Sequence, residues 1–366
     1  MSLERADTRI DMKDEFADHK HPLISVGVIN YNGGETLANT VRSILSSNYP
    51  EELEVLVVDD GSKDNSLELL MAEFPQVVVH RQPKNMGPNA ARNVVLNKSS
   101  HDIILVTDND VEFAPNCLSL LAEEIVSNPM CAVTTPMILD FYKRDQVYSN
   151  GAELHFVCFG VLQRHHTLPP NADFRPRPTV CGSGGIMLVK KQAALAIGGF
   201  DENFTFGYDD GEFTYRITLA GYDVIQVPSS RIYHIEKDSR DPKKLRFQVS
   251  GRWNLILKTY ALRSLVFLTP ALLLFEISQV VFLLLKRSFG EWTSGWKLVL
   301  GNWNGLMTKR RKTMLQKKRA DKDTLCAGEI FIFPSRTNGK MLLKIKKVIE
   351  IFLNCYWTLV RPLLRK

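Results

Sequence analysis

Ile103-Ile104-Leu105-Val106-Thr107-Asp108-Asn109-Asp110 is an apolar run that ends in two carboxylates one residue apart. A buried strand with this ending carries both acids at its carboxyl tip, the rim where open α/β sheets place their ligands. Hard divalent cations take oxygen ligands, and Mg²⁺ commonly uses one or two carboxylates together with phosphate oxygens. A D-x-D pair on a surface turn has the same spelling, so the surrounding pattern has to decide between the two readings.

That pattern is an alternation of strands and helices from residue 23 to about 130. Leu23 to Asn30 reads as a strand, followed by the turn Asn32-Gly33-Gly34 and by Leu37, Val41, Ile44 and Leu45 at helical spacing up to Asn48-Tyr49-Pro50. Leu53 to Val58 runs into Asp59-Asp60-Gly61-Ser62; a helix carried by Leu67, Leu70, Met71 and Phe74 stops at Pro75. Val77 to His80 is a third strand, and a helix begins near Asn89. The alternation predicts an α/β fold with a mostly parallel nucleotide-binding sheet, flanked by helices and ending in polar or acidic residues along one rim. Residues 1–22 read as an extension, 23–240 as the catalytic domain and 241–366 as a helical C-terminal region.

With 366 residues and 45% hydrophobic content, the chain is long enough for two domains and apolar enough for a substantial core. Its net charge is +6, and the basic excess lies largely after residue 285, in Lys309-Arg310-Arg311-Lys312 and Lys317-Lys318-Arg319. Such asymmetry points to an anionic surface, and the long apolar runs beside it favour lipid over nucleic acid. Cys117, Cys131, Cys158, Cys181, Cys326 and Cys355 form no C-x-x-C pair, so they read as reduced thiols of a cytosolic protein. The first twenty residues lack a signal-peptide core, which keeps the expected catalytic half on the cytosolic side. No G-x-G-x-x-G or Walker loop is present; dinucleotide binding and ATP hydrolysis have little support.

Several motifs in order resemble the family 2 glycosyltransferases of GT-A fold. They are Val26-Gly27-Val28-Ile29-Asn30-Tyr31-Asn32; Val57-Val58-Asp59-Asp60-Gly61-Ser62; Asn85-Met86-Gly87 with Ala91-Arg92-Asn93; Thr107-Asp108-Asn109-Asp110; and Gly198-Gly199-Phe200-Asp201-Glu202 leading to Tyr208-Asp209-Asp210-Gly211-Glu212-Phe213, Arg216, Gly221-Tyr222 and His234. The branch most similar comprises rhamnosyl- and galactofuranosyltransferases of surface glycan synthesis. The resemblance implies an inverting, metal-dependent transferase that uses a nucleotide-diphosphate sugar, UDP or dTDP favoured, and a glycan or lipid-linked acceptor.

It also implies roles. Asp59 would accept a hydrogen bond from the base, with Asn30, Tyr31 and Arg92 lining the base-and-ribose slot. Asp110 would ligate Mn²⁺ or Mg²⁺ directly, Asp108 through the metal, a water or the ribose, and His234 as a third ligand. Asp210 would be the general base and Asp209 an orienting group, although relatives often carry Glu-Asp where this chain has Asp-Asp. Read from the residues alone, Asp60 has a packing or capping role as an equal alternative to a binding one, and Ser62 is expected to be the N-cap of the following helix. Gly182, Ser183 and Gly184, within Cys181-Gly182-Ser183-Gly184-Gly185, would shape the sugar and acceptor pocket with Glu212 and Arg216. The last two also stand at i,i+4 spacing for an ion pair.

Residues 137–180, with His165-His166 and repeated prolines, read as a mobile loop over the site. Leu265 to Leu285 has the length of a bilayer span, but Glu276 at its centre and flanking cations favour an interfacial helix; a single span is the alternative. Trp292, Trp296 and Trp303 fit the same interface, and Leu342, Ile345, Ile349, Phe352 and Tyr356 define an amphipathic helix. The expected location is the cytoplasmic membrane face, peripheral or monotopic. A polyprenyl-phosphate glycosyltransferase and a non-catalytic membrane scaffold of the same fold are the competing readings.

Overall fold

The computed structural model describes residues 21–162, 166–168, 172–182, 185–235, 242–330 and 340–364. The first four strands are β1 (Ile24–Asn30), β2 (Leu53–Asp59), β3 (Val78–Arg81) and β4 (Ile103–Asp108). All seven residues of β1 are buried, because helices cover the sheet on both sides. These are α1 (Glu35–Leu45), α2 (Ser66–Glu73) and α3 (Pro88–Lys98). The four strands pair in parallel in the order β3-β2-β1-β4, as right-handed crossovers with covering helices allow. Val26, Val28, Leu37, Val41 and Leu105 pack on one face; Ile29, Val58, Val95, Ile104 and Val106 pack on the other.

Beyond β4 the sheet becomes mixed. β5 (Val111–Phe113), α4 (Cys117–Ser127) and β6 (Cys131–Asp140) follow. The segment read as a mobile loop instead contains β7 (Gln146–Ser149), β8 (Ala152–His155), β9 (Phe159–Leu162), β10 (His166–Thr167) and β11 (Arg177–Thr179). Short strands separated by Gly and Pro lack the apolar periodicity that would have marked them. His165 lies outside the described residues. β12 (Met187–Lys190) then inserts antiparallel between β4 and β6, followed by α5 (Lys191–Ala196) and α6 (Asp209–Leu219).

β13 (Asp223–His234) runs as one strand to His234. Its pairing with β6 shifts register between Val227 and Arg231, and it then pairs with β5, setting His234 opposite Val111. A bulge re-aims a strand, and here it swings the end of β13 to the D-x-D.

The C-terminal helices are α7 (Leu245–Thr259), α8 (Leu262–Leu285), α9 (Phe289–Gly301), α10 (Trp303–Gln316), α11 (Asp321–Thr324) and α12 (Lys340–Val360). Their core is continuous with the sheet domain: Phe156, Cys158, Phe204 and Tyr215 pack with Leu255, Tyr260, Leu268, Phe275, Leu353 and Trp357. α8 is long and apolar enough to cross a membrane, and 33% of its most apolar stretch is buried. Leu262, Val266, Leu273, Ile277, Val281 and Leu284 form its exposed stripe.

Glu276, at the edge of that stripe, is buried. It accepts hydrogen bonds from Arg252 Nη1 (2.6 Å) and the indoles of Trp253 (3.1 Å), Trp292 (2.5 Å) and Trp296 (3.4 Å). Trp292 and Trp296 therefore hold a buried carboxylate rather than an interface; Trp303 stays 42% exposed. On α12 the buried residues are Leu353, Trp357 and Val360, while Ile345, Val348, Ile351, Phe352 and Leu359 are exposed. Ile345 and Phe352, read from the sequence as part of the apolar face of an amphipathic helix, lie on the exposed side.

The basic runs are largely engaged within the protein. Lys309 pairs with Asp201, Lys317 with Asp321 and Arg319 with Asp223, and Arg310 donates to the Leu257 carbonyl. Of those two runs, Arg311, Lys312 and Lys318 remain exposed.

Candidate active site

The tips of β1, β2 and β4 meet in a buried polar knot. Asn30, 1% exposed, donates from Nδ2 to Asp59 Oδ1 (2.9 Å), Ser62 Oγ (3.1 Å) and Ser66 Oγ (3.0 Å). Its Oδ1 accepts from Asn109 Nδ2 at 2.5 Å, so the middle residue of the D-x-D is the hook that fixes its flanking acids. Gly33 passes where an added Cβ would strike both Asn109 and Asn30, which only glycine tolerates.

Asp59, expected at the base, is fully buried. Its carboxylate also accepts from the Ser62 amide at 3.1 Å and lies 3.4 Å from Arg81 Nε. Asp60 accepts from the amides of Met86 (2.6 Å) and Gly87 (2.9 Å), tying down the turn before α3. Ser62 lies four residues ahead of α2 and accepts from the Asn32 amide at 2.9 Å. It cross-links two loops and is not the expected N-cap. Tyr31, 49% exposed, is the open aromatic surface at this end.

Arg92 stands between the two acidic motifs. Its side chain is 3% exposed. Nη1 donates to Asp209 Oδ2 (2.5 Å) and Asn89 Oδ1 (2.9 Å), while Nη2 reaches Asp108 Oδ1 at 3.3 Å. Burial opposes its charge, but Asp209 and Asp108 raise its pKa further above the ordinary guanidinium range. Arg92 thus braces acids rather than joining the Asn30–Asp59 knot. Asp108 keeps 31% of its side chain exposed, yet burial and the nearby Asp110, Asp209 and Asp210 push it up to about 7 against the pull of Arg92.

Asp209 and Asp210 open α6, where backbone N–H groups favour negative charge. Asp210 accepts from the amides of Gly211 (2.7 Å) and Gly185 (3.2 Å). Burial, then the neighbouring Asp209, raises its pKa, the direction a general base at neutral pH requires. Gly185 (φ +68°) is the pocket residue absent from the expected set: a Cβ there would lie 2.5 Å from Arg92 Nη2 and 2.8 Å from Asp108 Oδ2. The glycine run was its only signal. Gly182 donates its amide to Thr214 Oγ1 at 2.9 Å, on the α6 side. Ser183 and Gly184 lie outside the described residues.

Glu212 and Arg216 do not line the pocket. Glu212 is fully buried, and Arg216 binds it through Nε (2.5 Å) and Nη2 (3.0 Å) while donating to the carbonyls of Ile197 (2.8 Å) and Gly199 (2.7 Å). The i,i+4 pair expected from spacing is formed, and its function is internal.

His234 Nε2 stands 3.5 Å from Asp110 Oδ1, and the Asp110 carbonyl accepts from the Ile235 amide at 3.0 Å. Among the described residues no three His, Cys, Asp or Glu side chains form a complete metal cage. An imidazole beside a carboxylate nevertheless suits Mn²⁺ or Mg²⁺ when phosphate oxygens and water complete the shell.

A parallel βα sheet whose acidic rim gathers at the strand tips defines a nucleotide-binding α/β domain. Residues 25–195 match the family described as Glycosyl transferase family 2, and residues 167–238 match that described as N-terminal domain of galactosyltransferase. Over residues 25–195, just under half of its length, the chain is thus similar to the family 2 glycosyltransferases. It is 29% identical over 237 residues to N-acetylgalactosaminyltransferase 6 of Drosophila melanogaster, covering 61% of this chain and 35% of that protein. It is 24% identical over 248 residues to an N-acetylglucosaminyl-diphospho-decaprenol L-rhamnosyltransferase of Mycobacterium tuberculosis, covering 60% of this chain and 79% of the relative. The crystal structure of GalNAc-T7 with UDP, GalNAc and Mn²⁺ superposes with a TM-score of 0.56 at 19% identity, covering 67% of this chain and 49% of that one. The chain thus spans little more than a third of the insect relative's length.

Proposed function

We propose that this chain is an inverting, divalent-metal-dependent glycosyltransferase that moves a sugar from a nucleoside diphosphate, UDP or dTDP, to a hydroxyl of a glycan or lipid-linked glycan. The observation that carries the reading is the convergence of Asp108, Asp110 and His234 with Arg92 and the Asp209-Asp210 pair at the strand tips. Tyr31 offers a face on which the nucleobase stacks. Asp110 and His234 would hold Mn²⁺ or Mg²⁺, with Asp108 beside them; the ion, when bound, supplies neutralisation of the departing diphosphate.

Asp210 takes the proton of the acceptor hydroxyl as its oxygen bonds to the anomeric carbon and the bond to the diphosphate breaks. Such base assistance contributes roughly 10²- to 10⁴-fold. With one base and no separate nucleophile assigned, the attack is a single displacement, which inverts the anomeric centre. The exposed apolar stripes of α8 and α12, together with exposed Arg263, Lys286, Arg287, Lys344 and Lys347, support peripheral or monotopic attachment to the cytoplasmic membrane face. A lipid-linked acceptor, as named for the mycobacterial relative, agrees with such a surface.

The test is calorimetry with UDP, dTDP, GDP, CDP and ADP, each with and without Mn²⁺, on wild type, Asp110→Ala and His234→Ala. The expected result is one preferred diphosphate whose binding needs the metal, is lost in Asp110→Ala and weakens about 10-fold or more in His234→Ala. Folded protein that binds none of the five would overturn the reading.

A further inference from the structure

Lys258 lies in α7, beyond the catalytic segment read from the sequence, yet its ammonium is 2% exposed and ion-paired with both Asp201 and Glu212. Glu212 follows Asp210 by two residues in the first turn of α6. The Asp201 carbonyl accepts from Asn89 Nδ2 at 2.8 Å, and Asn89 Oδ1 accepts from Arg92 Nη1 at 2.9 Å. One cation of the C-terminal region therefore connects to the catalytic acids by two routes, along α6 and through Asn89 to Arg92.

α7 approaches the same turn at a second point. A Cβ on Gly251 would lie 2.9 Å from the ring of Tyr208, the residue immediately before Asp209. Tyr208 is itself anchored, its hydroxyl donating to the Cys158 carbonyl at 3.0 Å.

Neither carboxylate depends on Lys258 for neutralisation. Glu212 keeps Arg216, and Asp201 keeps Lys309 at 2.5 Å. Burial alone would raise the Asp201 pKa, but Lys258 and Lys309 hold it well below the usual carboxylate range. What Lys258 does alone, among the described residues, is grip both carboxylates at once. Its removal breaks the connection while leaving each acid a partner.

We propose that Lys258 is a positioning residue for sugar transfer: it fixes the first turn of α6, and hence Asp209 and Asp210, against the Asp201 loop and Arg92. The proposal rests on the transferase reading above. It makes α7 part of the catalytic apparatus, acting through contacts and touching no substrate.

The experiment compares the full chain with Lys258→Met, Lys258→Arg and Lys309→Met. The readouts are amide exchange, melting temperature, and diphosphate release from a panel of UDP- and dTDP-sugars. Lys258→Met should exchange about 10-fold faster at Gly185 and Gly211, whose amides hold Asp210, and lose about 10- to 100-fold in kcat with donor KM within about 2-fold. Lys258→Arg should recover part of kcat. Lys309→Met, which keeps the Lys258 grip, should stay near wild type in kcat. Unchanged exchange and kcat in Lys258→Met would overturn the proposal, as would losses in both lysine-to-methionine variants that track melting temperature alone. A wild type that turns over no donor would overturn the transferase reading and this proposal together, an outcome distinct from an active wild type matched by an equally active Lys258→Met.

Discussion

Arg92 and Asp209 meet at 2.5 Å across the gap between α3 and α6, and the other arm of the same guanidinium touches Asp108. One buried cation thereby braces the acids of two motifs separated by about a hundred residues in sequence. Removing one partner of a buried pair costs roughly 3–5 kcal/mol. Arg92→Met should therefore melt well below wild type and lose turnover. Arg92→Lys should restore little, because an ammonium lacks the fork that reaches both acids. An unchanged melting temperature in Arg92→Met would refute the bracing role.

Gly185→Ala should disable the site with little general unfolding. Its φ of +68° disfavours a side chain, and the added methyl would enter the space of Arg92 and Asp108. A displacement of this size costs on the order of 10²-fold in kcat. Gly211→Ala is the control, because its Cβ would meet Cys181 at an ordinary 3.8 Å. Equal activity of the two variants would argue against the close approach.

Glu276→Leu distinguishes the docked arrangement of α8 from a lipid-facing one. With Arg252 1% exposed and paired to Glu276 at 2.6 Å, losing the carboxylate strands a buried cation, and chemical unfolding should report a loss of about 3 kcal/mol. A carboxylate facing hydrocarbon would give the opposite sign, a gain on substitution by leucine.

His155 makes stability fall in mild acid. The ring is fully buried, its Nδ1 accepts from the Val157 amide at 3.2 Å, and burial pushes its pKa down to about 4. The folded state keeps the neutral ring while the unfolded chain takes a proton near pH 6.5. The contribution is complete above that value and declines as pH falls from about 6.5 to about 4, by up to about 3 kcal/mol. His155→Phe should flatten this part of a melting-temperature profile; an unchanged slope would show that other groups set it.

The nucleotide-binding half was legible because its signals are local: buried parallel strands spell continuous apolar runs, and their polar tips follow in the same few residues. The i,i+4 pair of Glu212 and Arg216 was legible for the same reason. The sealing of Asp59 by Asn30, the bracing of Asp108 by Arg92 and the capture of Glu276 by Arg252 and three indoles depend on partners at least 16 residues away in the chain, for which composition and period carry no signal. The basic runs misled in the same manner. Lys309 and Arg319 look solvated in sequence because Asp201 and Asp223 lie about a hundred residues earlier.

Phe156 stacks on Trp357 with ring centroids 5.0 Å apart, joining the middle of the chain to its final long helix. For a polypeptide made from its amino end, the nucleotide rim can assemble while synthesis continues, whereas the wall behind the catalytic helix must wait for α12 to leave the ribosome. Until then the face of Phe156 that Trp357 covers lies open, and this part of the core closes last.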